Sequence, residues 1–130
     1  MSLAQHINNT VILREQYTFN AETLATRTQS GVFEIVFISL LREYMELEYK
    51  ECLKEAFNLE KVVNDFILVS IFMGNDFVPH LYCMNVRSGN FDDCIKKLKE
   101  YYTDKKNYLV EKWKINWTNF NQYFSTLIPL

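Results

Sequence analysis

Apolar positions follow two rhythms along this chain. Near the start, Val11-Ile12-Leu13 is a short run, β-branched at its start, and the charged pair Arg14-Glu15 predicts a strand that ends there. Residues 16–31 are polar, rich in Thr and without period, and read as a surface connector. Phe33 to Ile38 is short and almost wholly apolar, which suits a buried strand. Ser39 is placed to cap a helix. Beyond it, Leu40, Leu41, Tyr44, Met45 and Cys52 recur at helical spacing, and Glu46 and Lys50 stand one turn apart. This helix is expected to reach about Phe57. Asn58 caps a second helix over residues 59–73, whose half from Phe66 to Met73 carries Ser70 as its one polar side chain and so predicts burial on nearly all sides. Gly74, free to take positive φ, ends it. Residues 75–90 read as an extended, partly buried connection. Phe91 to Tyr102 is a third helix, and Asn116 caps a fourth that includes Phe120 and Phe124. The expected fold is mainly α with two short strands, in one unit of 130 residues.

Composition narrows the class. Hydrophobic residues at 48% and charged residues at 23% are ordinary for a globular chain, which excludes disorder. Three Gly and two Pro argue against a many-turned β fold. The cysteines are odd in number and far apart, which predicts reduced thiols and an intracellular protein. No apolar run is long enough to span a membrane, and the N-terminus has no secretory pattern.

A net charge of -2 excludes nucleic-acid binding by bulk charge. The charge is uneven, however. From Lys96 to Lys114, seven Lys stand against Glu100, Asp104 and Glu111, a net of +4. Tyr101, Tyr102, Tyr108 and Trp113 are interleaved with them. Such a stretch either grips a single strand by phosphate contact and base stacking, with Lys96, Lys97 and Lys99 as RNA contacts, or is a solvated helix face whose aromatics turn inward. The second use is the commoner one.

Candidate chemistry concentrates at Gly74-Asn75-Asp76-Phe77. Asp76 follows a very apolar helix at the negative end of its dipole, where a carboxylate needs compensation. A metal ion, a Lys, an Arg or a protonated His80 would supply it; otherwise Asp76 accepts backbone amides and caps the next turn. Cys52, Cys83, Cys94, His6 and His80 lack zinc-site spacing, and glycines at 31, 74 and 89 build no phosphate loop.

Phe66 to His80, FILVSIFMGNDFVPH, resembles the hallmark stretch of the Xrn-type 5′→3′ exoribonucleases, a buried helix ending in Gly-Asn-Asp-Phe-hydrophobic-Pro-His. In the same order, Phe33 to Leu47 resembles that family's segment ending in Leu-Arg-Glu-Tyr. Leu3-Ala4-Gln5-His6 with Val11 to Glu15 resembles its Leu-Ala-Thr-His segment and following strand, and residues 91–102 and 115–127 resemble its next two helices. The likeness covers nearly the whole chain. The flap endonucleases are more distant relatives with a PIN-like α/β core. They carry a Gly-rich turn after the corresponding aspartate, where this chain has Val78-Pro79-His80-Leu81.

The resemblance implies the C-terminal part of a PIN-like nuclease domain, from an enzyme that hydrolyses single-stranded RNA bearing a 5′-monophosphate using Mg²⁺ or Mn²⁺. It makes Asp76 a metal-binding catalytic carboxylate, with Asn75 and His80 in support. The family's Asp-x-Asp metal pair has no counterpart here, so the expectation is an excised piece or short homologue, inactive alone and dependent on the remainder of the nuclease domain. Residues 16–31 lack the Cys/His knuckle of many nuclear members, which favours the cytoplasmic branch over the nuclear one. Two other readings remain: a non-catalytic helical module binding RNA or protein, and a flap-type DNA nuclease fragment. Apolar surface beyond what a small domain covers predicts self-association of the isolated chain.

Overall fold

The computed structural model describes residues 10–19, 27–75, 77–81 and 90–128. It is mainly helical, with two small antiparallel sheets, and divides into two compact units, Met1–Glu43 and Tyr44–Leu130.

The first unit is built on a long hairpin, β1 (Val11–Phe19) and β2 (Arg27–Phe37). Val11 pairs with Phe37, Leu13 with Ile35 and Glu15 with Phe33. Both strands are longer than the sequence reading expects, and the ends of the supposed connector belong to them. The Thr, Tyr and Phe side-chain types at those ends favour extended backbone, and cross-strand pairing supplies the regularity that periodicity did not show. The register slips between Glu15 and Tyr17, where one residue of β1 stands opposite three of β2, an irregularity that absorbs two extra residues. The apolar run of β2 is a strand, as expected, but not a buried one. Val11, Ile12, Leu13, Phe33, Ile35, Val36 and Phe37 are 40–60% exposed.

Helix α1 (Ile38–Leu53) starts directly from β2, with the Ile38 amide donating to the Thr10 carbonyl. Ser39 therefore lies inside the first turn rather than before it. Within the second unit, α1 buries Met45, Tyr49 and Leu53, while Tyr44 stays exposed. The Glu46–Lys50 pair forms at 3.6 Å. The α-helix stops at Leu53, earlier than expected, because Lys54 turns to φ +52 and opens a 3₁₀ turn, Lys54–Ala56. Two side chains brace this corner. Lys106 Nζ donates to the Cys52 carbonyl, and Tyr108 Oη donates to the Ala56 carbonyl at 2.6 Å while accepting from the Asn58 amide at 2.7 Å.

Asn58 caps α2 (Leu59–Phe72), accepting from the Lys61 amide. Val62, Val63, Leu68, Val69 and Met73 are buried, but Ile71 is exposed and Phe66, Ile67 and Phe72 are half-buried, so the apolar half is not covered all round. Helix α3 (Asn90–Lys105) contributes Cys94, Leu98, Tyr101 and Tyr102 to the core. A short hairpin follows, β3 (Val110–Glu111) and β4 (Lys114–Ile115), then α4 (Trp117–Ser125), capped by Asn116. The aromatic side chains meet edge to face: Tyr49 on Tyr102 at 5.7 Å, Tyr102 on Tyr108 at 5.8 Å and Tyr101 on Tyr123 at 6.2 Å. Three of the four aromatics of the Lys-rich stretch therefore face the core.

The sequence reading had no β3–β4 hairpin. Its two-residue turn places Lys112 at φ +48 and Trp113 at φ +63, the geometry that Asn-Gly adopts readily and that costs an ordinary residue ~1–2 kcal/mol. Nothing in its local pattern announces a turn. The hairpin is held from beneath by Asp65.

Candidate nuclease loop and its surroundings

The loop after α2 is shaped by three residues. Gly74 adopts φ +85, and a Cβ placed there would come within 2.7 Å of the His80 backbone nitrogen. Glycine is required twice over, by the dihedral angle and by the close approach. Asn75 then closes the turn: its Oδ1 accepts from the amides of Phe77 and Val78, each at 2.8 Å, and its own amide donates to the Val78 carbonyl at 2.9 Å. The Leu81 amide returns to the Phe72 carbonyl at 3.0 Å, so the segment from the end of α2 doubles back on itself. Phe77 is 93% exposed. His80 places its backbone against Gly74 and leaves its side chain exposed. Asp76 and Cys83, singled out in the sequence, lie outside the described residues.

The three lysines proposed as RNA contacts sit together on α3 but are differently engaged. Lys97 pairs with Glu100 at 2.9 Å. Lys99 pairs with Glu48 and lies 5.8 Å from the centre of the Tyr49 ring. Lys96 is exposed. A shallow groove beside them is lined by Lys96, Lys99, Glu100, Thr103 and Asp104, a surface of mixed sign. Among the described residues, no group of three His, Cys, Asp or Glu side chains is placed to hold a metal ion, and no helix is long and apolar enough to cross a membrane.

Sequence reasoning missed Asp65, which is fully buried. Its Oδ2 accepts from Tyr102 Oη at 2.6 Å and from the Leu109 amide at 2.8 Å, and its Oδ1 accepts from the Val110 amide at 2.8 Å. One carboxylate thereby joins α2, α3 and the base of the β3–β4 hairpin. Burial raises its pKa from 3.8 to about 7, against the lowering influence of those three hydrogen bonds. Its partner Tyr102 is raised well above the usual tyrosine value, first by burial and then by the nearby carboxylate. A signal for Asp65 does exist in the sequence: it stands on the same helical face as Val62 and Val69, an acidic residue within a core stripe.

Residues 56–128 match the family model described as the Xrn1 helical domain. The 5′-3′ exoribonuclease 1 of Saccharomyces cerevisiae is 36% identical across 98% of this chain, and that of Schizosaccharomyces pombe is 35% identical across 89%. The human 5′-3′ exoribonuclease 1 is 27% identical across 98%. The chain spans less than a tenth of the length of these relatives, 9%, 9% and 8% respectively. The ordered segments around Gly74-Asn75-Asp76, the helical unit and these matches agree, and the chain belongs to the Xrn-type 5′→3′ exoribonuclease family.

Proposed function

We propose that this chain is the downstream part of the nuclease domain of a metal-dependent 5′→3′ exoribonuclease, with Asp76 as one of its metal-holding carboxylates. The supporting observation is the use of the donors around position 76. A capping aspartate there would take the amide two residues on, that of Val78, but Asn75 already accepts from it and from Phe77. The next residue, Pro79, has no amide proton. With its capping donor engaged elsewhere, a carboxylate at 76 is left for a cation. Asn75 and His80 then act by shaping the loop, not as ligands.

The described residues do not complete a donor set for Mg²⁺ or Mn²⁺, which calls for further oxygens. Those would come from the remainder of the nuclease domain, in a PIN-like core, and the 130-residue chain alone is inactive. A divalent ion bound there would activate water and offset charge at the scissile phosphate. The substrate is single-stranded RNA with a 5′-monophosphate, and the parent acts in cytoplasmic RNA decay, in keeping with the missing Cys/His knuckle. The uncovered apolar residues of β1 and β2 pack on the remainder of the domain, and without it they drive self-association.

The test is Asp76→Asn in the full-length parent. Turnover and metal affinity fall together, while binding of 5′-monophosphorylated RNA persists. Undiminished Mg²⁺-dependent turnover would show that the Asp76 carboxylate is not catalytic.

A further inference from the structure

We propose that the tip of the β3–β4 hairpin, Lys112-Trp113-Lys114, is a stacking site for single-stranded RNA. The inference rests on the reading above, in which the parent acts on RNA. It starts from an anomaly. Both central residues of the turn hold positive φ, yet neither is Gly, Asn or Asp. A bulky residue in that region is an outlier that persists where something else requires it. Trp113 is at the same time 76% exposed, its indole presented to solvent.

The tip is also fixed in place. The Leu109 and Val110 amides are bound by the buried Asp65 carboxylate, and the Asn116 amide donates to the Leu109 carbonyl at 2.8 Å across the hairpin base. Trp113 is thus carried on a braced support with little freedom to lose on binding. Lys112 and Lys114 flank it, at the end of a stretch that carries a net of +4. A flat, exposed indole between two cations matches a base with phosphates on either side. The core of a protein interface is depleted of charged residues, whereas the immediate neighbours of Trp113, Glu111, Lys112 and Lys114, are all charged and exposed.

The test uses the 130-residue chain with a short 5′-hydroxyl oligouridylate and no divalent metal, so that neither 5′-phosphate recognition nor metal chemistry enters. Binding is followed by anisotropy of a 3′-label and by quenching of indole fluorescence. Trp113→Ala weakens binding about 5- to 150-fold, the loss of one stacked base, and Trp113→Phe retains most of it. Lys112→Gln with Lys114→Gln makes the salt dependence shallower. A second variant, Lys112→Asn with Trp113→Gly, installs the preferred turn residues. It raises the thermal midpoint while abolishing binding, an opposition that a merely structural Trp113 cannot produce. Failure of the wild-type chain to bind, or equal binding by Trp113→Ala, overturns the proposal. Loss of a protein contact in Trp113→Ala with oligouridylate binding intact overturns it in favour of a protein partner. An inactive Asp76 site in the parent would leave this binding result standing, so the two readings fail separately.

Discussion

The two hairpins of this chain invert the usual relation between strand length and security. The long one, β1–β2, has strands of nine and eleven residues rich in Val, Ile and Phe, and it leaves those side chains facing water. The short one, β3–β4, has two residues per strand and a turn in an unfavourable conformation. It is nevertheless held by a buried carboxylate that takes two main-chain amides. Propensity explains why β1–β2 is extended but offers no cover for it, and an isolated two-stranded hairpin is marginal in water. Packing explains β3–β4 although propensity opposes it. The difference separates a segment whose apolar side chains stay exposed from a segment completed within its own unit.

The largest expected effect breaks the short hairpin. Asp65→Ala removes an acceptor from Tyr102 Oη and from the Leu109 and Val110 amides at once, leaving buried donors without partners. It should lower the stability of the helical unit by ~3 kcal/mol or more at neutral pH, read as a shift in urea midpoint. An effect below ~1 kcal/mol would mean that the hairpin base does not depend on this carboxylate.

Acidity sharpens the same point. The folded-state pKa of Asp65 is raised from 3.8 to about 7, so between those values the native chain holds a proton that the unfolded chain has released. Stability from this group is therefore greatest below about pH 4 and declines as pH rises through 7, by an order of ~4 kcal/mol for a shift of this size. Asp65→Asn keeps the shape and removes the ionisation, so its stability curve should lose that slope. Equal slopes in wild type and variant would assign the pH dependence to another group.

Much of the helical unit was legible because its signals are local. Asn58 and Asn116 are caps in sequence and in structure, and Gly74 ends α2 at positive φ as its position implied. Elements fixed by distant partners were not legible. Lys112-Trp113 carries no turn signature, and the hairpin forms because Asp65, more than forty residues earlier, takes its amides. The ends of the 16–31 segment become strand through pairing with each other, a relation that no window of sequence displays. For the candidate loop, sequence supplied the residue types and their order. Structure added that Asn75 engages the amides of Phe77 and Val78. Covering of β2 was misjudged because a run of apolar residues shows that burial is favourable without showing what provides it.

The smallest expected effect on stability concerns the long hairpin. Ile35 is 55% exposed and faces Leu13 in register, which is itself exposed. Ile35→Lys therefore removes little buried area, and the stability of the isolated chain should change by less than ~0.5 kcal/mol. Its association should change more, because a lysine on an exposed strand opposes edge and face pairing. Sedimentation velocity on wild type and variant at matched concentration would show the variant shifted toward monomer. In the full-length parent the same substitution would place a charge against whatever covers β2, and a loss of several kcal/mol is the order expected for an unpaired buried ammonium. A substitution that is silent in the fragment and severe in the parent marks a completion surface. If it were equally silent in both, the apolar residues of β1–β2 would be uncovered in the whole protein as well, and the contrast between the two hairpins would need another cause.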